Sequence, residues 1–429
     1  MYLRTPKRYT AKGSKKPLIS LRWLWLYLLA PVVIIGAALV WDNRSDWSQA
    51  IGEVIGRVKI APLDAPTATP TRPAADLQVQ ITQALDGGNL NEALDAMHAY
   101  NDSEPNDMQW HALYPELLVL RAYLVDTDLM AQAQQAGQNA INANPEVPEG
   151  WISEALVLDW TNQSKQALSY ALRAKDLGDA NGMTSAVLGG IYRSLGDVKQ
   201  ANTLIDAALK TNPNLVYAYF VKGQLDSDNG DVKAAISMYQ QGWQVAGGDH
   251  TQWAGYVADA LAASYATQNQ LDKGLAIIAD ALQRDKDDPQ LYFRQSAIFN
   301  KQGDYDKATQ SAQNCIDHNA NYLECHEQLA VLNYTNKQYG KSANAAQTAF
   351  KLGSIKTSVY YYGGLSYISL NRCNDALPLL RTGLDFAQKQ NKTSAISDFT
   401  KVLSECGDTV GSVPVTESAA VASATPKKR

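Results

Sequence analysis

The sequence predicts an all-α fold, a solenoid of about nine stacked helical hairpins closed by one further helix. Three observations carry this. Apolar residues recur at three- and four-residue spacing along most of the 429-residue chain, the period of an amphipathic helix. The stripes come in pairs, separated by short turns rich in Gly, Asn and Asp. The pairs themselves return every 34 residues.

The stretch LGGIYRSLGDVKQA at 188–201 shows one unit. Leu188, Ile191, Tyr192 and Leu195 form one stripe; Val198, Ala201, Ile205 and Ala208 form the next. Between them, Gly196 suits a left-handed helix exit and Asp197 a helix cap. Asn212-Pro213 ends the second helix, because the residue before proline disfavours helical geometry. Steps of 34 residues from Ala201 reach Ala133, Ala167 and Ala235. Five extra residues near 246–250 shift the register to Gly274, Ala308, Ser342 and Ala376, and a shift of six brings in Ala93. All members are small, so the column allows close helix approach. A second column, at the turn, holds Gly88, Asp128, Asn162, Gly196, Gly230, Asn269, Gly303, Lys337 and Asn371, mostly residues that tolerate positive φ. Lys337 and Ser342 depart from the pattern and predict a loosely packed unit. One hairpin cannot bury both faces of its helices, so neighbours must stack and the ends need a polar cap. Thr393 to Cys406 fits the cap, with Ile396, Phe399, Val402 and Leu403 on one face. Pro378 is expected in the first turn of its helix, after an Asn374 cap, where a missing N–H costs little.

These residues resemble the tetratricopeptide repeat family, whose unit is a 34-residue helical hairpin. The best match is Leu188-Gly189, Tyr192, Gly196, Ala201, Ala208 and Pro213; Trp151, Leu158, Ala167 and Ala174 fit one unit earlier. Gly303-Asp304-Tyr305 with Ala308 fits later, and Gly364, Tyr367 and Ala376 mark the last clear unit. The resemblance covers roughly residues 76 to 390. It implies a right-handed superhelix whose first helices line a concave surface that binds peptides or other segments. An enzyme and a cofactor are not expected, because no nucleophile–base pair or metal frame is visible in the sequence.

The ends are organised differently. Residues 1–22 carry seven Lys/Arg and no acid, and residues 23–41 carry no charge. A helix of that length spans roughly 28 Å, close to the hydrocarbon core of a bilayer. Trp23, Trp25, Trp41 and Trp47 stand where the two interfaces would be. The expectation is a single-pass anchor in a cell membrane with a cytoplasmic basic tail and extracytoplasmic repeats; a cleaved signal peptide is the competing reading. Residues 42–60 form an amphipathic juxtamembrane segment, either a helix lying on the membrane surface or a continuation of the anchor. Residues 61–75 form a Pro/Thr-rich linker, 76–406 the solenoid, and 407–429 a tail without periodicity, expected to be disordered.

Between residues 76 and 406 there are 24 basic and 37 acidic residues, a field that repels phosphate and argues against a nucleic-acid partner. Cys315 and Cys325 lie symmetrically about the turn near Ala320, so antiparallel helices would bring them together; Cys373 and Cys406 lie 33 residues apart, in neighbouring turns. Both pairs are candidate disulfides in an oxidising compartment, the alternative being buried free thiols. His318 and His326 join the first pair in a C-x2-H-x6-C-H array. Cys325 and His326 diverge by about 100° on a helix, which disfavours zinc, and no metal site is expected. None of the five histidines stands in a catalytic frame.

What remains is the concave face. Tyr217, Phe220, Tyr256, Phe293, Arg294, Asn300, Tyr334, Tyr361 and Tyr362 are its candidate binding residues. Aromatics with occasional Arg or Asn suit a mainly apolar peptide, or a carbohydrate through stacking; tyrosines packed between hairpins are the plainer alternative. Some relatives in the family clamp a C-terminal carboxylate with Lys and Asn. The corresponding places here hold Gln78 and Thr82, Ala186 and Gly190, and Phe220 and Gln224, so that mode is not supported. The sequence therefore predicts a membrane-anchored scaffold that binds proteins or peptides, with a glycan- or cell-wall-binding envelope module as the alternative.

Overall fold

The computed structural model describes residues 73–87, 89–122, 127–178, 181–247 and 253–408. The expected anchor, its juxtamembrane segment, nearly all of the linker and the C-terminal tail lie outside the described residues. Among the described residues no helix is long and apolar enough to cross a membrane.

Every described element is a helix. In order they are α1 (Ala74–Asp86), α2 (Leu90–Ser103), α3 (Met108–His111), α4 (Leu113–Arg121), α5 (Thr127–Ala143), α6 (Pro148–Trp160) and α7 (Ser164–Leu177). Next come α8 (Met183–Leu195), α9 (Val198–Thr211), α10 (Val216–Asp228), α11 (Val232–Ala246), α12 (Ala254–Thr267), α13 (Leu271–Arg284) and α14 (Pro289–Gln302). The series ends with α15 (Tyr305–His318), α16 (Leu323–Thr335), α17 (Tyr339–Lys351), α18 (Thr357–Ser369), α19 (Cys373–Lys389) and α20 (Thr393–Glu405). They pair as nine hairpins, α1–α2, α4–α5 with the short α3 before it, and then α6–α7 through α18–α19; α20 closes the stack.

The two sequence columns have direct structural meaning. The small-residue column, from Ala93 through Ala376, is buried throughout, with its alanines at 0% exposure. At the turn column, Asn162, Gly196, Gly230, Asn269, Gly303, Lys337 and Asn371 all adopt positive φ. That is the conformation from which one helix can stop and the next restart at once. Asp197, Asp231 and Asp304 then cap the second helices by accepting the N–H of Gln200, Ala234 and Lys307. Asp128 is a correction to that column, since it lies in the first turn of α5 rather than in a turn.

Two further expectations change. Ser342 does not loosen its unit: its buried hydroxyl donates to Ala330 O at 2.6 Å and lies 2.7 Å from the Ser366 hydroxyl. A hydroxyl with its bonds made packs like a methyl group at this close crossing. Pro378 is not in a first turn, because α19 starts at Cys373 and encloses it. The cap α20 buries Phe399, Val402 and Leu403 and exposes Ser397, Asp398 and Lys401.

From α4 onward, the first helix of each hairpin lies close to the first helix of the next. Among the described residues, the second helices from α7 onward lie close mainly to the helices just before and after them. The stack therefore bends with first helices on the inside. A third small-residue column makes the hairpins tight. At Gly223 an added Cβ would lie 2.4–2.7 Å from the ring of Tyr239, and at Gly364 it would meet Leu380 at 2.3 Å.

Candidate functional site

A cavity of about 240 Å³ identifies which positions look inward. It is lined by five successive first helices, with Trp160 from α6, Gly190 and Arg193 from α8, Tyr217, Phe220 and Gln224 from α10, Tyr256 and Asp259 from α12, and Gln290 from α14. The 34-residue register carries the same columns onward to Phe293 and Arg294, then Glu324, Gln328 and Tyr334, then Tyr361 and Tyr362. All nine sequence candidates thus belong to the first helices, but the structure divides them into two groups.

In the first group the face is filled. Tyr217 and Phe220 are 2% and 5% exposed, too buried to offer an open docking surface. Their rings lie 4.5 and 5.7 Å from that of Trp253, which also meets Trp160 at 5.3 Å and Tyr256 at 5.8 Å. Trp253 is placed by the interruption of the repeat register before α12. Its indole N–H donates to Glu116 Oε1 of α4 at 2.7 Å, and the Tyr256 hydroxyl donates to Leu120 O at 2.6 Å. Arg121, at the end of α4, bonds Asp285 Oδ2 at 2.9 Å and Asn91 Oδ1 at 3.0 Å. In a plain solenoid each repeat touches only its neighbours; here α4 reaches the hairpin α12–α13, four hairpins away, and closes the inner face. Burial pushes the Tyr256 phenol well above its ordinary range. Burial, reinforced by Asp285, raises the neighbouring Asp288 to about 7, although Arg121 opposes the shift.

Sequence reasoning missed Glu116, Arg121, Trp160 and Trp253. The signal was present as the five extra residues before Trp253 and the lost register between 104 and 126. Neither irregularity alone says that the two meet.

In the second group the face is half open. Tyr334, Tyr361 and Tyr362 are partly exposed. Tyr334 meets Tyr362 at 5.1 Å, Tyr362 meets Tyr361 at 5.6 Å, and Tyr361 rests edge-on against buried Phe399 at 5.6 Å. Phe293 packs on Tyr322 at 5.9 Å. Arg294 is held by Asp259, with Nε to Oδ1 at 2.8 Å and Nη2 to Oδ2 at 3.0 Å, a bidentate pair that fixes its guanidinium. Asn300 is exposed beyond this row.

The cysteines lie in the same half. Cys315 joins Cys325 between α15 and α16, and Cys373 joins Cys406 across α19 and α20, at S–S distances of 2.04 and 2.05 Å. His318 stacks on Tyr292 and sits 3.6 Å from Asp287, while His326 Nε2 lies 2.8 Å from Ala320 O. The two histidines are therefore engaged separately. Among the described residues no three metal-ligating side chains converge.

No protein-family model matches the chain, and no curated protein matches it significantly. Solved structures do. The Cut9–Hcn1 hetero-tetramer of the APC/C is 12% identical, with 77% of this chain and 76% of that one covered at a TM-score of 0.52. Yeast Tom70 is 12% identical over 77% of this chain and 89% of that one, at 0.46. A tetratricopeptide repeat protein from Parabacteroides merdae is 15% identical over 60% and 98%, at 0.39. The first likeness shows the fold, a tetratricopeptide-repeat-like solenoid, and nothing finer.

Proposed function

We propose that the chain is a scaffold that binds a segment of a partner protein along the inner face of α14 to α20. The carrying observation is the row Tyr334, Tyr362 and Tyr361, aromatic rings in mutual contact on successive first helices with one side left open. Rigid aromatic side chains lose little rotamer entropy on binding and supply most of the contact energy at such surfaces. The hairpins hold them in place beforehand, since Phe399 backs Tyr361 and the buried Ser342–Ser366 contact lies beneath α18.

Anchorage is part of the proposal. A 19-residue uncharged stretch after seven basic residues supports one membrane span with its N-terminus inside. Two disulfides support an oxidising compartment for the repeats. Protease treatment of intact cells should then degrade the repeats, and full protection would contradict that placement.

Binding is tested by recovering partners from native membranes with the chain and with a variant carrying Tyr334→Ala, Tyr361→Ala and Tyr362→Ala. Partner recovery should fall at least tenfold, the loss expected from removing aromatic contacts worth more than about 1.4 kcal/mol together. Unchanged recovery would overturn the proposal. Retention on insoluble polysaccharide, lost in the same variant, would favour the glycan reading instead.

A further inference from the structure

The open half of the inner face has a charge character that names its partner more closely. Three of its cations are occupied. Arg294 is paired with Asp259, Lys356 with Glu327, and Lys301 donates to Ala266 O. Glu324 is different. It stands on α16 in the column that holds Tyr217, Tyr256 and Gln290, cavity-lining positions one to three hairpins earlier. It has no ion-pair partner among the described residues, and its Oε2 is buried without a hydrogen bond. Gln328, one helical turn on and on the same face, also buries an unpartnered acceptor, Oε1. A buried acceptor without a donor is costly, and a charged one more so. Although the Glu324 carboxylate accepts from its own backbone N–H, these two oxygens have no donor among the described residues, and a cation would bring one.

The surroundings agree. Tyr322 feels the charge of Glu324, followed by those of Asp259 and Asp288, and its ring packs on Phe293. Burial holds the Glu324 carboxyl above the usual range, against the hydrogen bond from its own backbone N–H, with Glu327 adding to the shift and Lys356 opposing it. At the far end of the tyrosine row, Asp398 and Glu405 of α20 act on Tyr361, with Lys401 between them in the sequence. Carboxylates beside aromatic faces are the chemistry that receives an ammonium or guanidinium group.

Resting on the scaffold reading above, we propose that the partner segment is basic. One Lys or Arg side chain is seated against Glu324 and Gln328, beside the Phe293–Tyr322 ring pair, while apolar side chains of the segment lie along Tyr334, Tyr362 and Tyr361. The net negative charge of the repeats adds steering toward such a segment.

The test uses the full-length chain and two short fluorescent peptides that share their leucine and phenylalanine residues, one carrying arginines and the other glutamates. Anisotropy should show the arginine peptide binding at least tenfold more tightly, with the gap narrowing as salt rises. Glu324→Gln should close most of that gap without lowering the unfolding midpoint, because it removes a charge and keeps the shape. Equal affinity for both peptides, preference for the glutamate peptide, or an unchanged gap in Glu324→Gln would overturn the proposal. Equal affinities abolished together by Tyr361→Ala and Tyr362→Ala would sink the basic segment and leave the scaffold standing. Binding of neither peptide, with native partner recovery unaffected by the tyrosine variants, would sink both.

Discussion

Along α6 to α12 the inward aromatics Trp160, Tyr217, Phe220 and Tyr256 close on Trp253, and α4 is clamped over them. Along α16 to α20, Tyr334, Tyr362 and Tyr361 touch one another and leave a side open. The same columns of the same repeat thus serve opposite ends. Where the register is kept, each hairpin contacts its neighbours and the inner face stays available; where it is broken twice, the two breaks meet and the face becomes core. The apolar core follows this division in part: one large cluster lies between Leu77 and Tyr265, another between Ala308 and Leu403, and smaller ones around Ile278 and around Cys315 lie between and beside them. The second half has a different reinforcement, two disulfides in place of a long-range clamp.

The contrast can be broken from either side. Trp253→Ala should have the largest effect, a loss of about 3–5 kcal/mol, because it empties the centre of the aromatic cluster. Denaturant unfolding followed by hydrogen exchange should show the loss confined to α1–α13. Reduction should act only on the other half. Loops closed over sequence separations of 10 and 33 residues predict about 3 and about 4 kcal/mol of lost stability for the two bonds. If reduction instead loosens α4 to α12, the two halves are not separate in the sense described. Arg121→Ala removes the charge that pairs with Asp285 where both side chains are largely buried; a cost of about 3 kcal/mol is expected, again in the first half.

Acidity distinguishes the halves less sharply, because burial also raises a carboxyl, Glu324, in the second half. Glu154 and Asp288 are both raised to about 7, each chiefly by burial. A carboxyl raised in the folded state binds more protons folded than unfolded, so stability falls as pH climbs from about 4 to 7. Melting of the first half should therefore drop by a few degrees between pH 5 and 8, and Glu154→Gln should flatten that slope. The smallest stability change is expected for Tyr362→Ala, under about 1 kcal/mol at a partly exposed site; its consequence should appear in partner recovery.

Much of this architecture is legible in the chain. Ala201 and its column, and Gly196 and its column, mark the helix crossings and turns because those positions admit few residue types. Asp128 lies in the first turn of α5 instead of between helices, and Pro378 falls inside α19 because that helix starts at Cys373 with no side-chain cap to mark it. Within the site, periodicity brings Tyr334, Tyr361 and Tyr362 to one face, but it brings Tyr217 and Phe220 there as well. Their burial depends on Trp253 and Glu116, partners 137 residues apart. A local pattern carries no information about such a meeting.

Hydroxyl-radical footprinting of the full-length chain, free and with its recovered partner, tests the two-part inner face most directly. The account predicts that Tyr334, Tyr361 and Tyr362 are oxidised in the free protein and protected by the partner, with Tyr217 and Trp253 unreactive in both. Reactive Tyr217 or Trp253 in the free chain, or a tyrosine row that stays reactive in the complex, would contradict it.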